Sequence, residues 1–397
     1  MKKKVVLAFS GGLDTSYCGV YLSKELGYDV YAAIGNTGGF TQQELLQVEQ
    51  RAYDVGCKHF VNLDIAQKYY DETIKYMVFG NMLKNGTYPI SVSSERIVQA
   101  IAVAEYAKKI GADYICHGST GAGNDQIRFD MIFSIVAPKV EVIALIREKN
   151  LSREQEINYL RENGIHMDFK KAEYSINKGL WGTSIGGKET LHSLEALPEE
   201  AYPTHCTKKE EEACTVTLTF TKGELTAIDG APYDAVAAIQ QLQSVAGAYA
   251  VGRGMHVGDT IIGIKGRVGF EAAAPMVIIK AHHLLEKHTL SKWQLFWKEN
   301  ISNFYCNSLH EGNYFDPVMR DIEQMLLSSQ QYVSGDVLVR LMPYRFDVIG
   351  VKSPHDLMDD AFGSYGEMNK AFTGQDAIGF GKILGLSNKI FTTINHD

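Results

Sequence analysis

Near its N-terminus the chain has an apolar run, a glycine-bearing polar turn and a helical segment, in that order. The run covers residues 5–9, and the turn, residues 10–16, reads Ser-Gly-Gly-Leu-Asp-Thr-Ser. This pattern predicts a buried strand that leads through a tight turn into a helix N-terminus. Adjacent glycines let backbone N–H groups approach an anion, and the helix start adds unpaired donors and the positive end of its dipole. The turn therefore predicts a phosphate site.

The turn differs from two common phosphate-binding patterns. It lacks the Gly-x-x-x-x-Gly-Lys-[Ser/Thr] sequence of a Walker loop and the Gly-x-Gly-x-x-Gly sequence of a dinucleotide fold. It resembles instead the pyrophosphatase loop of enzymes that split ATP between the α- and β-phosphates. The alternative interpretation is an ordinary link between a strand and a helix, and Asp14 with the hydroxyls of Thr15 and Ser16 argues against it.

Length, charge and cysteine spacing narrow the class of protein. A chain of 397 residues exceeds one ordinary domain, so two domains with separate cores are expected. The 39 Lys and Arg against 47 Asp and Glu give a net charge of −8, which disfavours a broad nucleic-acid surface. Apolar stretches are too short for an export signal or a membrane span. The six cysteines include no Cys-x-x-Cys pair and indicate reduced thiols in a cytoplasmic protein.

Apolar runs alternate with helical periodicity in the first part of the chain. The runs are residues 5–9, 29–34, 59–63, 114–117 and 140–146. This alternation predicts an α/β fold with a parallel, doubly wound sheet covered by helices on both faces, one of them over residues 95–109. Ligands of such sheets bind outside the carboxyl ends of the strands, where Ser10 and His117 fall.

The pattern changes after residues 170–202, which are irregular and read as a linker or substrate loop. Strands are predicted over residues 214–220, 224–228, 260–264, 276–279, 336–342 and 345–351, and helices around 233–246 and 291–329. This mixture predicts an α+β second domain. The glycine-bearing residues 356–397 are expected to form an arm that packs on another subunit. The expected domains are therefore residues 1–168, residues 169–355 and the arm 356–397.

A second glycine-rich segment, residues 117–129, reads His-Gly-Ser-Thr-Gly-Ala-Gly-Asn-Asp-Gln-Ile-Arg-Phe. Its glycines free the backbone to approach a ligand. Donors, acceptors and one fixed positive charge come from Thr120, Asn124, Asp125 and Arg128. Taken by itself, the segment also fits a solvated loop.

Together the two segments resemble the argininosuccinate synthase family, and the likeness continues through most of the chain. The matching stretches are residues 7–16, 88–96, 117–129, 174–184, 251–270 and, more weakly, 374–380. The resemblance implies a Rossmann-like pyrophosphatase-type nucleotide domain, a synthetase domain and a homotetramer assembled partly through the C-terminal arm. It also implies a cytoplasmic enzyme of arginine biosynthesis with no nucleic-acid or membrane partner.

The resemblance implies a carbon–nitrogen ligase that joins citrulline to aspartate and converts ATP to AMP and pyrophosphate. The ureido oxygen of citrulline attacks the α-phosphate, and the amine of aspartate then displaces AMP from a citrullyl-AMP intermediate. ATP enters as its Mg²⁺ complex, and no metal site made by the protein alone is expected.

The family resemblance also implies residues for each substrate. Those for ATP are Ala8, Phe9, Ser10, Gly11, Gly12, Leu13, Asp14, Thr15, Ser16, Gly35 and Gly118. Those for aspartate are Thr120, Asn124 and Asp125. Those for citrulline are Tyr88, Ser93, Asn124, Arg128, Ser175, Ser184, Gly258 and Phe270. Asp14 and Asp125 are the implied catalytic residues, Asp125 through the α-amino group of aspartate, which must lose a proton before it attacks.

Three positions depart from the family pattern. Gly258 stands where the family has a glutamate and Phe270 where it has a tyrosine, and in the family both help to hold the amino-acid end of citrulline. Gly35 replaces the commoner alanine. Either Asp259 or Glu271 substitutes through a one-residue shift, or the acceptor is an N-acylated citrulline and Gly258 leaves space for its acyl group.

Two other functions built on the same loop fit less well. A tRNA-modifying enzyme would be expected to have a basic surface and, in thiolating members, paired reactive cysteines. A nucleotide sensor would need no aspartate pocket, whereas the full polar set of the second glycine-rich segment is present.

Overall fold

The computed structural model describes residues 2–166, 174–358, 362–363 and 371–395. The first part is built on five parallel strands: β1 (Lys4–Ala8), β2 (Asp29–Asn36), β3 (His59–Asp64), β4 (Tyr114–Cys116) and β5 (Glu141–Ile143). Their order in the sheet is β3-β2-β1-β4-β5. The predicted α/β class is confirmed.

The central strand β1 is buried on both faces, which explains its continuous apolar sequence. Val6 packs on one face in a core that includes Ile97 and Ile101, whereas Val5 and Leu7 pack on the other face. The helices of this part are α1 (Leu13–Val20), α2 (Gln42–Asp54), α3 (Ala66–Tyr69), α4 (Lys75–Phe79), α5 (Ser91–Ile110), α6 (Asp125–Val136), α7 (Leu145–Lys149) and α8 (Arg153–Glu162). Two π-helical segments extend α1 and α3, Tyr21–Glu25 and Tyr70–Ile74.

The second part contains two antiparallel sheets. Its strands are β6 (Ser175–Gly179), β7 (Gly182–Gly186), β8 (Cys214–Thr221), β9 (Glu224–Ile228), β10 (Ala231–Pro232), β11 (Arg253–Asp259), β12 (Lys265–Glu271), β13 (Gly335–Met342) and β14 (Arg345–Lys352). One sheet has the order β10-β9-β8-β13-β14, and the other has the order β11-β12-β7-β6. The smaller sheet packs against α5 through β6 and β7, which brings it to the ligand edge of the parallel sheet.

The helices of the second part are α9 (Ala235–Gly247), α10 (Ala273–Thr289), α11 (Lys292–Glu311) and α12 (Pro317–Ser329). Short 3₁₀ turns cover Lys188–Leu191, Glu199–Ala201, Glu210–Glu212 and Gln330–Tyr332. The arm holds α13 (Gly374–Leu384) and α14 (Leu386–Asn395), and every residue of these two helices is exposed or half-buried.

Several predicted elements are wrong. Residues 260–264 form the turn between β11 and β12, and residues 276–279 lie inside α10, because a short apolar run does not distinguish a strand from a buried helix. The run 140–146 holds only the short β5 and the start of α7. The helix predicted over 291–329 is two helices, separated where Gly312 adopts a φ of 94°.

The stretch 170–202, predicted to be irregular, contains β6 and β7. Its first residues, 170–173, lie outside the described residues. The predicted domain boundary between 168 and 169 lies outside them as well. All six cysteines are free thiols, as expected. In the described part of the chain no helix has the length and apolar character that crossing a membrane requires.

Candidate active site

A cleft of about 1040 Å³ opens at the carboxyl ends of β1, β2 and β4, facing the smaller antiparallel sheet. The parallel sheet contributes the turn of residues 10–16, called the phosphate turn below. The strands β6, β7, β11 and β12 contribute the opposite wall. The predicted site residues on its surface are Ala8, Phe9, Ser10, Gly12, Leu13, Asp14, Thr15, Gly35, Tyr88, Ser93, Gly118, Thr120, Asn124, Asp125, Arg128, Ser175, Ser184 and Gly258. Gly11, Ser16 and Phe270 are not among the residues that line the cleft; Ser16 and Phe270 are buried, and Gly11 is half-buried.

The phosphate turn is braced by its own hydroxyl groups. Gly11 adopts a φ of +75°, which favours glycine, and Gly12 precedes the first turn of α1. The Oγ of Ser10 lies 3.2 Å from Oγ1 of Thr15, and Thr15 Oγ1 lies 3.3 Å from the carbonyl oxygen of Gly12. The backbone N–H groups that begin α1 are thus held at the edge of the cleft, as a phosphate site requires.

Two carboxyl groups meet beneath the phosphate turn. Asp14 in the first turn of α1 and the buried Glu156 of α8 are neighbours, and each affects the ionisation of the other. Burial raises the pKa of Asp14, and burial together with the charge of Asp14 raises the pKa of Glu156 to about 8. The pair therefore holds one proton at neutral pH, because two adjacent buried carboxylates repel each other.

The two predicted nucleotide glycines allow close packing within the protein. A Cβ at Gly35 would lie 2.9 Å from Cγ of Gln99 on α5. A Cβ at Gly118 would lie 3.1 Å from Cβ of Asp14 and from Cγ2 of Thr15. Protein packing therefore gives a reason of its own for glycine at both positions, and the expectation that they line a bound nucleotide stays a prediction.

Asp125 lies between two arginines. Its Oδ2 accepts from Nε of Arg96 over 3.0 Å, and its Oδ1 accepts from Nη1 of Arg128 over 2.8 Å. Burial opposes ionisation of Asp125, but the two guanidinium groups outweigh it and lower the pKa of the carboxyl. Asp125 is therefore a fixed negative charge, and Arg96, which ends the matched stretch 88–96, is a site residue that the sequence analysis did not single out.

Arg128 is oriented by a distant backbone group. Its Nε and Nη2 donate to the carbonyl oxygen of His310 over 2.9 and 2.7 Å. The imidazole Nδ1 of His310 lies 3.0 Å from Oγ of Ser93, so Ser93 and Arg128 are tied to the same residue. This coupling joins α5, α6 and the end of α11 around the cleft.

The far end of the cleft is aromatic. The ring of Tyr88 lies 5.2 Å from the imidazole of His256 and 5.5 Å from the ring of Phe270, between ring centroids. Phe270 packs behind Tyr88, whereas His256 reaches the cleft surface. The expected open space over Gly258 is not found there, because a Cβ at this position would lie 2.7 Å from Nε2 of His256.

Metal binding by the protein alone was not expected. Within the described ranges, no group of three or more His, Cys, Asp and Glu side chains is arranged to hold a metal ion.

Two family models match the chain in succession. Residues 4–166 match the arginosuccinate synthase N-terminal HUP domain, and residues 174–391 match the arginosuccinate synthase C-terminal domain.

Full-length relatives show the same likeness. The chain is 36% identical over 408 residues to the argininosuccinate synthase of Xanthomonas campestris pv. campestris, covering 99% of both chains. It is 34% identical over 392 residues to that of Dictyoglomus turgidum, covering 98% of both. It is 35% identical over 398 residues to that of Staphylococcus aureus strain RF122, covering 100% of this chain and 98% of the relative.

Proposed function

The chain belongs to the argininosuccinate synthase family, and from this membership we propose that it ligates citrulline to aspartate, with ATP converted to AMP and pyrophosphate. The observation that carries the proposal is the shared cleft. The phosphate turn, the Arg96–Asp125–Arg128 cluster and the serines of β6 and β7 all border one space of about 1040 Å³. Holding the reactants together in one cleft converts encounters in solution into a step within the complex.

ATP binds with its phosphates at the start of α1. Backbone N–H groups of the turn and the helix dipole stabilise the pyrophosphate that leaves when the ureido oxygen of citrulline attacks the α-phosphorus. Mg²⁺ enters as part of the ATP complex and neutralises phosphate charge. Asp14 lies nearest this region, and its shared proton with Glu156 limits the negative charge that faces the phosphates.

Aspartate binds beside Asp125, with Thr120 and Asn124. The lowered pKa of Asp125 suits a permanent partner for the α-ammonium group better than a proton acceptor. Once that amine has lost a proton, it attacks the carbon of the activated ureido group and the carbon–oxygen bond to AMP breaks. Asp125 therefore acts by orienting the nucleophile.

The acceptor lies along the opposite wall. Its ureido group points to the phosphate turn, and its amino-acid end lies near Tyr88 and Gly258. Ser93, Ser175, Ser184 and the remaining N–H groups of Arg128 supply hydrogen bonds for its polar atoms. Phe270 contributes by supporting the ring of Tyr88.

We also propose a cytoplasmic homotetramer with no nucleic-acid or membrane partner. The free cysteines support a reducing compartment. The exposed apolar side chains of α13 and α14 support packing of the arm, residues 356–397, on another subunit. The proposed domains remain residues 1–168 and 169–355 beside this arm.

The test is an assay of AMP formation with ATP, aspartate and a ureido acceptor, with the condensed product identified by mass spectrometry. The variant Gly12→Val adds a branched side chain at the phosphate turn and is expected to lower ATP affinity at least tenfold, about 1.4 kcal/mol. Gly350→Val in β14 is the matched control, because a Cβ there meets only Leu338, at 3.6 Å. Formation of ADP, or AMP formation that needs no aspartate, would contradict the proposed function.

A further inference from the structure

His256 and Gly258 share one face of β11. Alternate residues of a strand point to the same side, and both positions are buried, whereas Val257 and the side chain of Asp259 are 54% and 69% exposed. A Cβ at Gly258 would lie 2.7 Å from Nε2 and 3.2 Å from Cε1 of His256. The imidazole therefore fills the space in which a longer side chain at position 258 would lie.

The imidazole is fixed at the cleft wall by two contacts. It stacks on the ring of Tyr88 at an interplanar angle of 25°, and its Nδ1 lies 3.4 Å from Oγ1 of Thr87. With Nδ1 as the donor to Thr87, Nε2 carries a lone pair. Nε2 has no hydrogen-bond partner among the residues that the structure describes, so it is available to a ligand.

The charges around His256 disfavour a cationic ligand group. Burial and the nearby ammonium group of Lys84 lower the pKa of His256, so the imidazole is neutral at neutral pH. Lys84 is itself buried, and its Nζ donates to Oδ1 of Asn307 over 2.7 Å. A buried cation near the end of the cleft repels a second cation there.

The carboxylates on β11 and β12 each have a basic side chain as partner. Asp259 borders the cleft, and its largely exposed carboxylate forms an ion pair of 2.6 Å with Lys265. Glu271 is buried and accepts from Nε of Arg253 over 3.1 Å. In the described part of the cleft wall around His256, these strands therefore present no unpaired carboxylate to a bound amino acid.

We propose that His256 determines acceptor specificity and selects a citrulline whose α-nitrogen is an uncharged amide. The proposal rests on the proposed function and names the class of its acceptor. An α-ammonium group would be desolvated beside a neutral ring and a buried lysine without an anionic partner. Moving an amide N–H from water to the same place costs little free energy, because Nε2 of His256 accepts its hydrogen bond. The amide's acyl group then lies in the cleft beyond the ring.

The first experiment compares three acceptors with the full-length enzyme at saturating ATP and aspartate. We expect kcat/KM for N-acetylcitrulline or N-succinylcitrulline to exceed that for citrulline at least tenfold. A preference for the succinyl over the acetyl derivative would assign a role to Lys84 in binding the additional carboxylate, and equal use would assign selection to the amide alone. A preference for free citrulline overturns the inference and leaves the proposed function intact, whereas no aspartate-dependent AMP with any acceptor contradicts the proposed function itself.

The second experiment tests His256 directly with the double substitution His256→Ala and Gly258→Glu. Alanine makes room for the new side chain, and the glutamate restores an anionic partner for an ammonium group. The ratio of kcat/KM for the acylated acceptor to that for citrulline is expected to fall at least a hundredfold. His283→Ala, on the exposed face of α10, is the matched control. An equal loss for all acceptors would mean that His256 only supports the wall, and would overturn its role in specificity.

Discussion

The side-chain oxygen of Asn124 accepts a hydrogen bond from the backbone N–H of Ile261 over 2.8 Å. Ile261 lies in the turn between β11 and β12, and Asn124 immediately precedes α6. This single bond ties the strand that carries His256 to the segment that carries Asp125. The proposed acceptor and aspartate sites are therefore positioned relative to each other by a contact between distant parts of the chain.

Replacing Asn124 with alanine removes the acceptor for the N–H of Ile261. We expect kcat/KM for aspartate and for the acceptor to fall about tenfold, because one hydrogen bond of this kind contributes about 1 kcal/mol and its loss frees the turn. Asn124→Asp keeps an oxygen at this position and is expected to retain the contact with Ile261. Steady-state kinetics with each substrate varied checks this. An equally large rise in the KM for ATP would show that the turn has no selective role.

Asp125→Ala is expected to weaken aspartate binding far more than ATP binding. The substitution removes the partner proposed for the α-ammonium group and leaves Arg96 and Arg128 without their shared anion. The Asp125 carboxylate is partly buried, and the loss of its two ion pairs should also lower the melting temperature. Exchange of labelled pyrophosphate into ATP, measured with the acceptor alone, should persist. Loss of exchange as severe as loss of the full reaction, in a variant that remains folded, would assign Asp125 to adenylation instead.

Glu156→Gln is expected to make stability less dependent on pH. The pKa of Glu156 is about 8 in the folded protein against an ordinary value of 4.5, so the folded state binds more protons between these values. Stability contributed by this carboxyl is therefore present at low pH and is lost as the pH rises toward about 8. Melting temperatures of both proteins across this range measure the effect. Parallel pH curves for wild type and variant would contradict the proton shared by Asp14 and Glu156.

The phosphate turn and the parallel sheet were predictable because their signals are local. The run 5–9 and the glycines that follow it are contiguous in sequence, and β1 with the start of α1 agrees with that reading. The strands β11 and β12 were not predicted, since their glycines and charged residues interrupt the apolar alternation, while the turn between them holds three isoleucines.

Side-chain contacts across the cleft were harder to predict from the sequence. The bond from Arg96 to Asp125 joins two helices 29 positions apart, and no periodicity specifies it. The relation of His256 to Gly258 follows from simple alternation in a strand. It could have been predicted if β11 had been recognised, because residues two apart on a strand share a face.

The C-terminal arm provides a test of the proposed tetramer. Ile383 on α13 and Phe391 on α14 are 76% and 71% exposed, although each is a large apolar residue. Covering each of them in a subunit interface would contribute about 1.5 to 3 kcal/mol. The double substitution Ile383→Asp and Phe391→Asp is therefore expected to reduce the mass measured by light scattering from a tetramer to a smaller species. Thr392→Asp, a polar position on α14, is the control for added charge. An unchanged mass in the double variant would show that these apolar faces do not hold the subunits together.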